Sequence, residues 1–475
     1  MSEEDSIIAN VSSRPPAMVL MERKFRKPEK RRNQYIGGIV ASLNGFCAGT
    51  VLAWTSPAMQ HILQPPSGSN TSTPNPPLPP PSFTISTFEE AAVGATLMFG
   101  AALAAIPSGK CADLFGRKIT LLLIGLLYMS NYILIACATN LSVLLIARLF
   151  AGVALGGSCV VAPMYIAEIT EESLKGILGS SFSLMLTLGI LYTNVIGVVT
   201  EWLGLAIALA LTSGIAALSI LFLPETPFYL IAGERFGKAR KSLMFYRGDE
   251  DQVSEELTEL QKHLREHQVG SSIWDLFTKR CYRRPLIATL GVFAYQQFCG
   301  INAVIFNLMP IFSAANVSPW VAAIVPNLLT ICVGAILVLI IEKKGRKFFM
   351  LLSSATMTLG LAGLAIYFQF SSTTINVLVP TACVGIFMAG FAVGIGPIPW
   401  VLLIELFTAE IKGIASGVVA MTGWISAMVV TFSYPYLKAT FGSAITFWAL
   451  GVLNILGWIF VRFAVPETKV QLRGK

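Results

Sequence analysis

Four carboxamide side chains lie close together in one long apolar segment of the chain. Within twelve residues, this segment carries Gln296, Gln297, Asn302 and Asn307. An amide donates and accepts hydrogen bonds and needs partners when it is buried, so this group suits a ligand rich in hydroxyls. On an uninterrupted helix Gln296, Gly300 and Asn307 share a face, whereas Gln297 and Asn302 lie about 140° apart. The segment therefore predicts a polyol site if the helix breaks near Gly300 or the ligand straddles it. The alternative is hydrogen bonding between helices.

A second apolar segment contains a predicted break that is followed by an aromatic side chain. Gly396, Pro397 and Pro399 disfavour a continuous helix, and such breaks are tolerated in membrane helices where they line a cavity. Trp400 follows directly and offers an apolar surface to the C–H faces of a polyol. Trp424 lies in the next apolar segment. A tryptophan in a membrane protein often anchors a helix at the membrane surface, but Trp400 lies in the middle of its segment, which argues against that role for it.

Acidic and basic residues recur in the same order in the two halves of the chain. The corresponding groups are Asp113, Gly116 and Arg117 with Glu342, Gly345 and Arg346; Glu168 and Lys175 with Glu405 and Lys412; and Glu225 with Glu467. Pairs between such acids and bases can hold one conformation and break in another, so we expect a two-state gate. The alternative is that these charges only set the orientation of the neighbouring segments.

The rest of the chain indicates which elements must position these groups. Of 475 residues, 54% are hydrophobic and 13% are charged, and the mean hydropathy is +0.68, which places most of the chain in a bilayer. The sequence predicts an all-α membrane protein of twelve spans, numbered here span 1 to span 12. The apolar runs lie at 36–58, 88–109, 118–138, 142–166, 177–199, 202–223, 286–308, 320–341, 348–369, 376–404, 412–435 and 441–464.

The connections between these spans predict their orientation. Lys and Arg are concentrated in the connections on one side, so both termini are expected in the cytoplasm. Six spans on each side of a charged linker make two parallel repeats of one fold. The expected parts are an N-terminal tail (1–35), a six-helix bundle (36–223), a linker with short helices (224–285), a second six-helix bundle (286–464) and a C-terminal tail (465–475).

The same sequence disfavours several kinds of function. The net charge of +8 resides in loops between spans, which argues against nucleic-acid binding. The eight cysteines form no CxxC pair, and His263 and His267 lie in a charged helical stretch. We therefore expect no metal site, no cofactor and no enzymatic activity. The proline-rich stretch 64–82, expected on the outer face, contains Asn70 in a glycosylation sequon.

Six short motifs in order along the chain resemble those of one transporter family. They are GKCADLFGRK (109–118), PMYIAEI (163–169), PETPFYL (224–230), QQFCGIN (296–302), GPIPW (396–400) and PET (466–468). Together they resemble the sugar porter family of the major facilitator superfamily. Within that family, AWTSPAM (53–59) of span 1 and PETPFYL are most similar to the insect trehalose-and-hexose branch and the intracellular-type glucose transporters. The resemblance implies a fold of two six-helix repeats that alternates access to a sugar site.

The resemblance also implies which residues bind the sugar. The family's main hydroxyl-binding amides correspond to Gln296, Gln297 and Asn302, and its cavity aromatics correspond to Trp400 and Trp424. Elsewhere in the site this chain departs from the family: Ser183 replaces a glutamine, Thr330 and Gly423 replace asparagines, and Ala392 replaces a glutamate. The pocket is therefore expected to be roomier and less polar than one for glucose alone, with space for trehalose.

Coupling to protons is not expected. Proton-driven members of the family carry an aspartate in the middle of span 1, where this chain has Val51, and 36–58 holds no ionisable side chain. Arg148 in span 4 matches the family arginine, whose acidic partner in span 1 is missing. We therefore expect facilitated diffusion of a hexose or trehalose by a monomer in the plasma membrane. The alternatives are a proton symporter, a sugar sensor, and a carrier of drugs or organic anions.

Overall fold

The computed structural model describes residues 31–63, 86–171, 173–266, 273–315, 317–370, 378–407 and 409–467. The regular structure in these ranges is helical throughout, without a β-strand. Eleven of the described helices are long and apolar enough to cross a membrane. The last of them, Gly413–Ala464, has non-helical backbone at Gly442 (φ 79°, ψ 168°) and therefore comprises two helices. Divided at that glycine, the described chain has the twelve spans that the sequence predicts.

The spans are joined by short connections and by one linker with its own helices. Spans 1 to 6 are Arg31–Leu63, Thr87–Ala105, Arg117–Ala136, Leu141–Ile169, Lys175–Val199 and Trp202–Ser219, the last extended by a 3₁₀ turn, Ile220–Phe222. Spans 7 to 12 are Arg280–Phe298 with Ile301–Phe306, Pro319–Lys344, Arg346–Phe370, Leu378–Val393 with Ile398–Leu406, and Ala409–Ala464 divided at Gly442. The shorter helices are Pro107–Phe115, Pro227–Ala232, Phe236–Arg247, Glu250–Glu266, Ile273–Thr278 and Leu308–Ala314.

Two spans begin at caps that the sequence encodes. Ser86 accepts a hydrogen bond from the Glu89 amide through its hydroxyl, and the Glu89 carboxylate accepts one from the Ser86 amide, which forms a capping box at span 2. Asn140 Oδ1 accepts from the Val143 amide at 3.0 Å and starts span 4 four residues after span 3 ends. The caps satisfy backbone groups at the span ends, which a tight turn would otherwise leave without partners.

Close approach of span 1 to span 5 depends on small residues. A Cβ at Gly49 would lie 1.9 Å from the Leu186 carbonyl oxygen, and one at Gly189 would lie 2.1 Å from that of Phe46. Any side chain at either position would force the two helices apart. Spans 2 and 11 also pack along each other, as do spans 5 and 8. Spans 2 and 5 of the first half therefore contact spans 11 and 8 of the second half.

The linker is fixed to the first six spans at the ends that carry the Lys- and Arg-rich connections, called here the basic face. Arg247 is buried, donates to the Ile169 carbonyl at 2.8 Å and forms a bidentate pair with Glu256. The Asn33 side chain donates to the Phe245 carbonyl at 2.6 Å. Span 1 is already helical at Arg31, the first described residue, whereas the sequence predicts its start at Ile36, and its polar first turn contacts the linker.

Candidate functional site

The helix of span 7 breaks where its amides are concentrated. Its first part ends at Phe298, Gly300 has φ 90° and ψ 12°, and a new helix starts at Ile301. This backbone conformation favours glycine, since an L side chain there is strained. A Cβ at Gly300 would also lie 2.9 Å from a methyl carbon of Leu450. Of the two predicted arrangements, the broken helix is therefore observed, and the uninterrupted face from Gln296 to Asn307 is not formed.

The break brings three of the four amides into one hydrogen-bonded chain. Asn302 Nδ2 donates to Gln297 Oε1 at 2.6 Å, and Gln297 Nε2 donates to Gln296 Oε1 at 3.2 Å. All three side chains are buried. Asn307 lies outside this chain and donates to the Ala303 carbonyl in its own segment at 3.0 Å. The amide chain, defined as Asn302, Gln297 and Gln296, thus crosses the break in span 7.

The amide chain ends on a second broken helix. In span 10 the first helix stops at Val393 and the next begins at Ile398, so the break that the sequence predicts is present. Gln296 Nε2 donates to the carbonyl oxygens of Ile395 and Gly396 at 2.7 and 2.8 Å. Both amide hydrogens of Gln296 are therefore used to hold span 10, and its oxygen is used by Gln297.

The predicted tryptophans lie beside this junction. The Trp400 ring packs edge-on against Phe293 of span 7, with ring centroids 4.8 Å apart. Trp424 is buried, and its indole N–H has no hydrogen-bond partner among the described residues. The neighbouring Gly423 lies against Phe293, where a Cβ would be 3.2 Å from the ring. Spans 7, 10 and 11 therefore meet around Phe293, three residues before Gln296 of the amide chain.

Ser183 and Thr330 are not joined to the amide chain by any hydrogen bond found in the described residues. Ser183 is exposed on span 5. Thr330 is half-buried on span 8, and its hydroxyl donates to the Pro326 carbonyl of the same helix at 2.8 Å. Each side chain is thus separate from the three connected amides.

Spans of the two halves meet closely at the face opposite the basic face. The Met309 amide donates to Ser56 Oγ at 2.8 Å, which joins the segment after span 7 to span 1. Phe88 of span 2 meets Phe432 of span 11 edge-on, with centroids 6.1 Å apart. These contacts join the two halves on that side.

At the basic face, the predicted charges of the first half form one cluster. Arg117 is buried and pairs with Glu168 and Asp113, each at 3.0 Å. Its guanidinium also lies over the rings of Phe228 and Tyr229, 5.8 and 5.5 Å from their centroids. This cation is therefore held by two acids and two aromatic rings of its own half.

The second half repeats part of this cluster. Arg346 pairs with Glu405 at 2.7 Å, and the Arg346 amide donates to Glu467 at 3.2 Å. In the first half the Lys118 amide donates in the same way to Glu225 at 3.1 Å. All of these pairs join elements of one half, so none of them bridges the two halves. Lys175 is exposed. The side chains of Glu342 and Lys412, and Asn70 with its surroundings, lie outside the described residues.

Two glycines adopt matching conformations in the repeated clusters. Gly116 has φ 96° and ψ 156°, and Gly345 has φ 91° and ψ 156°. A Cβ at Gly116 would lie 2.2 Å from Glu225 Oε2, and one at Gly345 would lie 2.9 Å from Glu467 Oε1. Each glycine therefore lets a glutamate reach a backbone amide at the start of the next span, that of Lys118 in the first half and that of Arg346 in the second.

Gly116→Ala is expected to lower the free energy of unfolding by about 1–3 kcal/mol, since this backbone region is nearly restricted to glycine. The added methyl would also displace Glu225. The apparent unfolding midpoint of the purified protein measures the effect. Gly109→Ala is the matched control, because a Cβ there meets nothing within 4 Å. Equal midpoints for both variants would contradict the assignment.

Arg148 is buried without a carboxylate beside it in the described structure. Its guanidinium donates to the Val51 carbonyl at 3.3 Å and to the Thr55 hydroxyl at 3.0 Å, and it lies over the ring of Trp54 at 4.9 Å from the centroid. Its partners are thus neutral groups of span 1. At position 51 it is the backbone carbonyl that accepts from Arg148, because the Val51 side chain has no acceptor.

Several residues of these networks were not predicted. Arg247, paired with Glu256 within the linker, binds the linker to span 4, and Ser353 of span 9 binds the break in span 10. Arg247 lies among many charged residues of the linker, so its burial has no local signature. Ser353 is a single hydroxyl in an apolar helix. The role of either residue can be recognised only when it is known which helices are neighbours in the fold.

Comparisons with known proteins cover almost the whole chain. The family described as "Sugar (and other) transporter" matches residues 33–472. A facilitated trehalose transporter of Apis mellifera ligustica is 29% identical, over 94% of this chain and 87% of its own length. Facilitated glucose transporter member 8 of Mus musculus is 31% identical, over 99% and 97%. The xylose transporter of E. coli, in a partially occluded inward-open conformation, has a TM-score of 0.77 at 18% identity, over 92% of this chain and 99% of that one, and shares the fold.

Proposed function

This chain belongs to the sugar transporter family of the major facilitator superfamily, and we propose that it carries a hexose or trehalose across the membrane by facilitated diffusion. Relatives named as facilitated trehalose and glucose transporters support this substrate class. The observation that carries the proposal is the amide chain between the breaks in spans 7 and 10. Uncharged donors and acceptors at two interrupted helices suit a neutral polyol, whereas buried charges would be costly in the bilayer.

We assign the hydroxyl contacts to Gln297 and Asn302. Within the amide chain, Gln297 uses one of its two amide hydrogens, and Asn302 uses only its nitrogen. Gln296 has a different role, because its hydrogens hold span 10 and its oxygen accepts from Gln297. Trp400 and Trp424 supply apolar surface for the sugar ring, and the buried indole N–H of Trp424 can donate to a hydroxyl.

The two ends of the assembly support an alternating-access mechanism. The two halves are joined at the face opposite the basic face, where Met309 binds Ser56 and Phe88 packs against Phe432. The charge pairs at the basic face lie within each half. We assign this structure to a state that faces the basic side. In the alternate state the halves approach there, and the clusters around Arg117 and Arg346 meet across the entrance as a gate.

Transport is assigned as uniport. A proton-coupled mechanism needs a carboxylate that changes protonation during the cycle, and Arg148 is instead bound to neutral groups of span 1 at Val51 and Thr55. The sugar gradient then supplies the whole driving force. By the distribution of Lys and Arg, the basic face and both termini lie in the cytoplasm. We place the protein in the plasma membrane as a monomer with Asn70 glycosylated, without enzymatic activity.

Counterflow in proteoliposomes tests the substrate assignment. Vesicles containing the purified protein are preloaded with unlabelled glucose or trehalose and diluted into the labelled sugar. We expect transient accumulation of at least one of the two labels, and none with labelled L-glucose or in vesicles without protein. Absence of counterflow by both sugars, with the protein folded and inserted, would contradict the proposed function.

A further inference from the structure

Ser353 of span 9 lies where the first helix of span 10 ends. The side chain is fully buried. Its hydroxyl donates to the Gly390 carbonyl at 2.6 Å and accepts from the Ile395 amide at 3.0 Å. Gly390 belongs to the last turn of the helix that ends at Val393, and Ile395 lies in the break. One hydroxyl therefore binds both sides of the helix end.

These two backbone groups lose their helical partners at the break. In a continuous helix the Gly390 carbonyl would accept from Gly394, and the Ile395 amide would donate to Phe391. Here the amides of Gly394 and Gly396 both turn to the Phe391 carbonyl, at 3.3 and 2.9 Å. Ser353 supplies an acceptor for the Ile395 amide and a donor for the Gly390 carbonyl. An unpaired backbone group at this depth would be costly.

The same residue of the break, Ile395, is also bound by the amide chain. The Ile395 amide binds Ser353 of span 9, while its carbonyl accepts from Gln296 of span 7. Gln296 in turn accepts from Gln297, which accepts from Asn302. The position of the break is thus shared between a serine behind it and the amides assigned to the sugar.

We propose that Ser353 is a positioning residue for sugar binding. Its hydroxyl fixes the break in span 10 so that the carbonyls of Ile395 and Gly396 face Gln296, which orders the amides that meet the sugar. The inference rests on the proposed function for its effect on sugar, but the effect on the backbone is independent of any ligand. The adjacent Ser354 is an internal comparison: it is equally buried, and its hydroxyl binds Asn454 and Tyr295 and not span 10.

The first test is hydrogen–deuterium exchange of the backbone amides from 391 to 398. In Ser353→Ala we expect the Ile395 amide to exchange at least tenfold faster than in the unaltered protein, because its acceptor is removed. Ser354→Ala, which deletes the neighbouring hydroxyl, is expected to leave this segment unchanged. Equal exchange in Ser353→Ala and the unaltered protein would overturn the proposal. This test holds even if the protein carries no sugar.

The second test measures sugar affinity in the same variants. Ser353→Ala is expected to weaken binding of the transported sugar about tenfold, an effect typical of one to two lost hydrogen bonds. Ser353→Cys keeps a weak donor and acceptor in little extra space, so its sugar affinity should lie between those of the unaltered protein and Ser353→Ala. The cysteine variant replaces the alanine variant in this test if the latter does not fold. A lower unfolding midpoint with unchanged affinity would mean that Ser353 only joins helices, as Ser354 does.

A comparison of single and combined variants of Ser353 and Gln296 distinguishes a positioning role of Ser353 from a general loss of packing. Because both residues bind backbone groups of Ile395, the affinity losses of Ser353→Ala and Gln296→Ala should be less than multiplicative when combined. Asn327 of span 8, whose side chain donates to the Ala323 carbonyl of its own helix, provides the control: Asn327→Ala combined with Gln296→Ala should be multiplicative. Multiplicative losses in both combinations would contradict the shared role. If the unaltered protein binds neither glucose nor trehalose, the proposed function fails while the exchange result still decides the role of Ser353.

Discussion

Replacing Gln297 by alanine is expected to raise the sugar concentration for half-maximal transport about a hundredfold. The side chain is the middle member of the amide chain and joins the two parts of span 7. Its loss leaves Asn302 Nδ2 and Gln296 Oε1 without their partners and removes a donor assigned to the sugar. The sugar loses the contact assigned to Gln297 and the contact of Asn302, which Gln297 positions, and two hydrogen bonds at about 1–1.5 kcal/mol each correspond to about a hundredfold in affinity. Initial rates of labelled sugar uptake over a range of concentrations measure the change.

Asn327→Ala is the matched control for Gln297→Ala. Asn327 is also a buried amide of the second half, but its side chain donates to the Ala323 carbonyl of its own helix at 2.8 Å. We expect this control to change the half-maximal concentration less than threefold. A Gln297→Ala variant that transports like the control would show that the amide chain only holds helices together.

Replacing Arg117 by alanine is expected to destabilise the first half by about 3–5 kcal/mol, because it leaves a buried acid without its cation. The Arg117 side chain is 5% exposed and that of Glu168 is 13% exposed, so solvent screens the pair weakly. The variant should unfold at a markedly lower temperature and lose most of its transport. The apparent unfolding midpoint of the purified protein, at a fixed heating rate, measures the first effect.

Removing both partners provides the decisive comparison for Arg117. Arg117→Ala with Glu168→Gln should recover much of the lost stability, since the remaining acid, Asp113, is exposed to solvent and no buried uncompensated charge remains. Lys238→Ala removes an exposed cation from the linker and should leave the midpoint unchanged. A double variant less stable than Arg117→Ala alone would show that Arg117 acts through contacts other than its pair with Glu168.

The sequence contains enough local information to predict the breaks, and the cap residues that the structure shows are also local. Gly300 among amides and the prolines after Gly396 indicate where spans 7 and 10 are interrupted, and both interruptions are found. Asn140 indicates the start of span 4. Such features depend on residues close together in the chain, because helix geometry and backbone strain are decided within one or two turns.

The partners of buried polar groups could not be predicted in the same way. The sequence presents Gln296 as a sugar ligand, whereas the structure uses its amide hydrogens on the carbonyls of span 10, about a hundred residues away. The charge pairs were expected at a gate, but which half each partner belongs to depends on the packing of the helices. Pairing between distant segments has no periodic signature, so only the assembled fold reveals it.

The most direct test of the account is the final distribution of labelled sugar in proteoliposomes with an imposed proton gradient. Vesicles with the purified protein are placed in the transported sugar, with an acidic exterior and an interior-negative potential set by potassium and valinomycin. For a uniporter whose buried Arg148 meets neutral groups, we predict equal internal and external sugar concentrations with and without the gradient. Accumulation above the external concentration, abolished by a proton ionophore, would contradict facilitated diffusion and require a proton-binding group in the transport cycle.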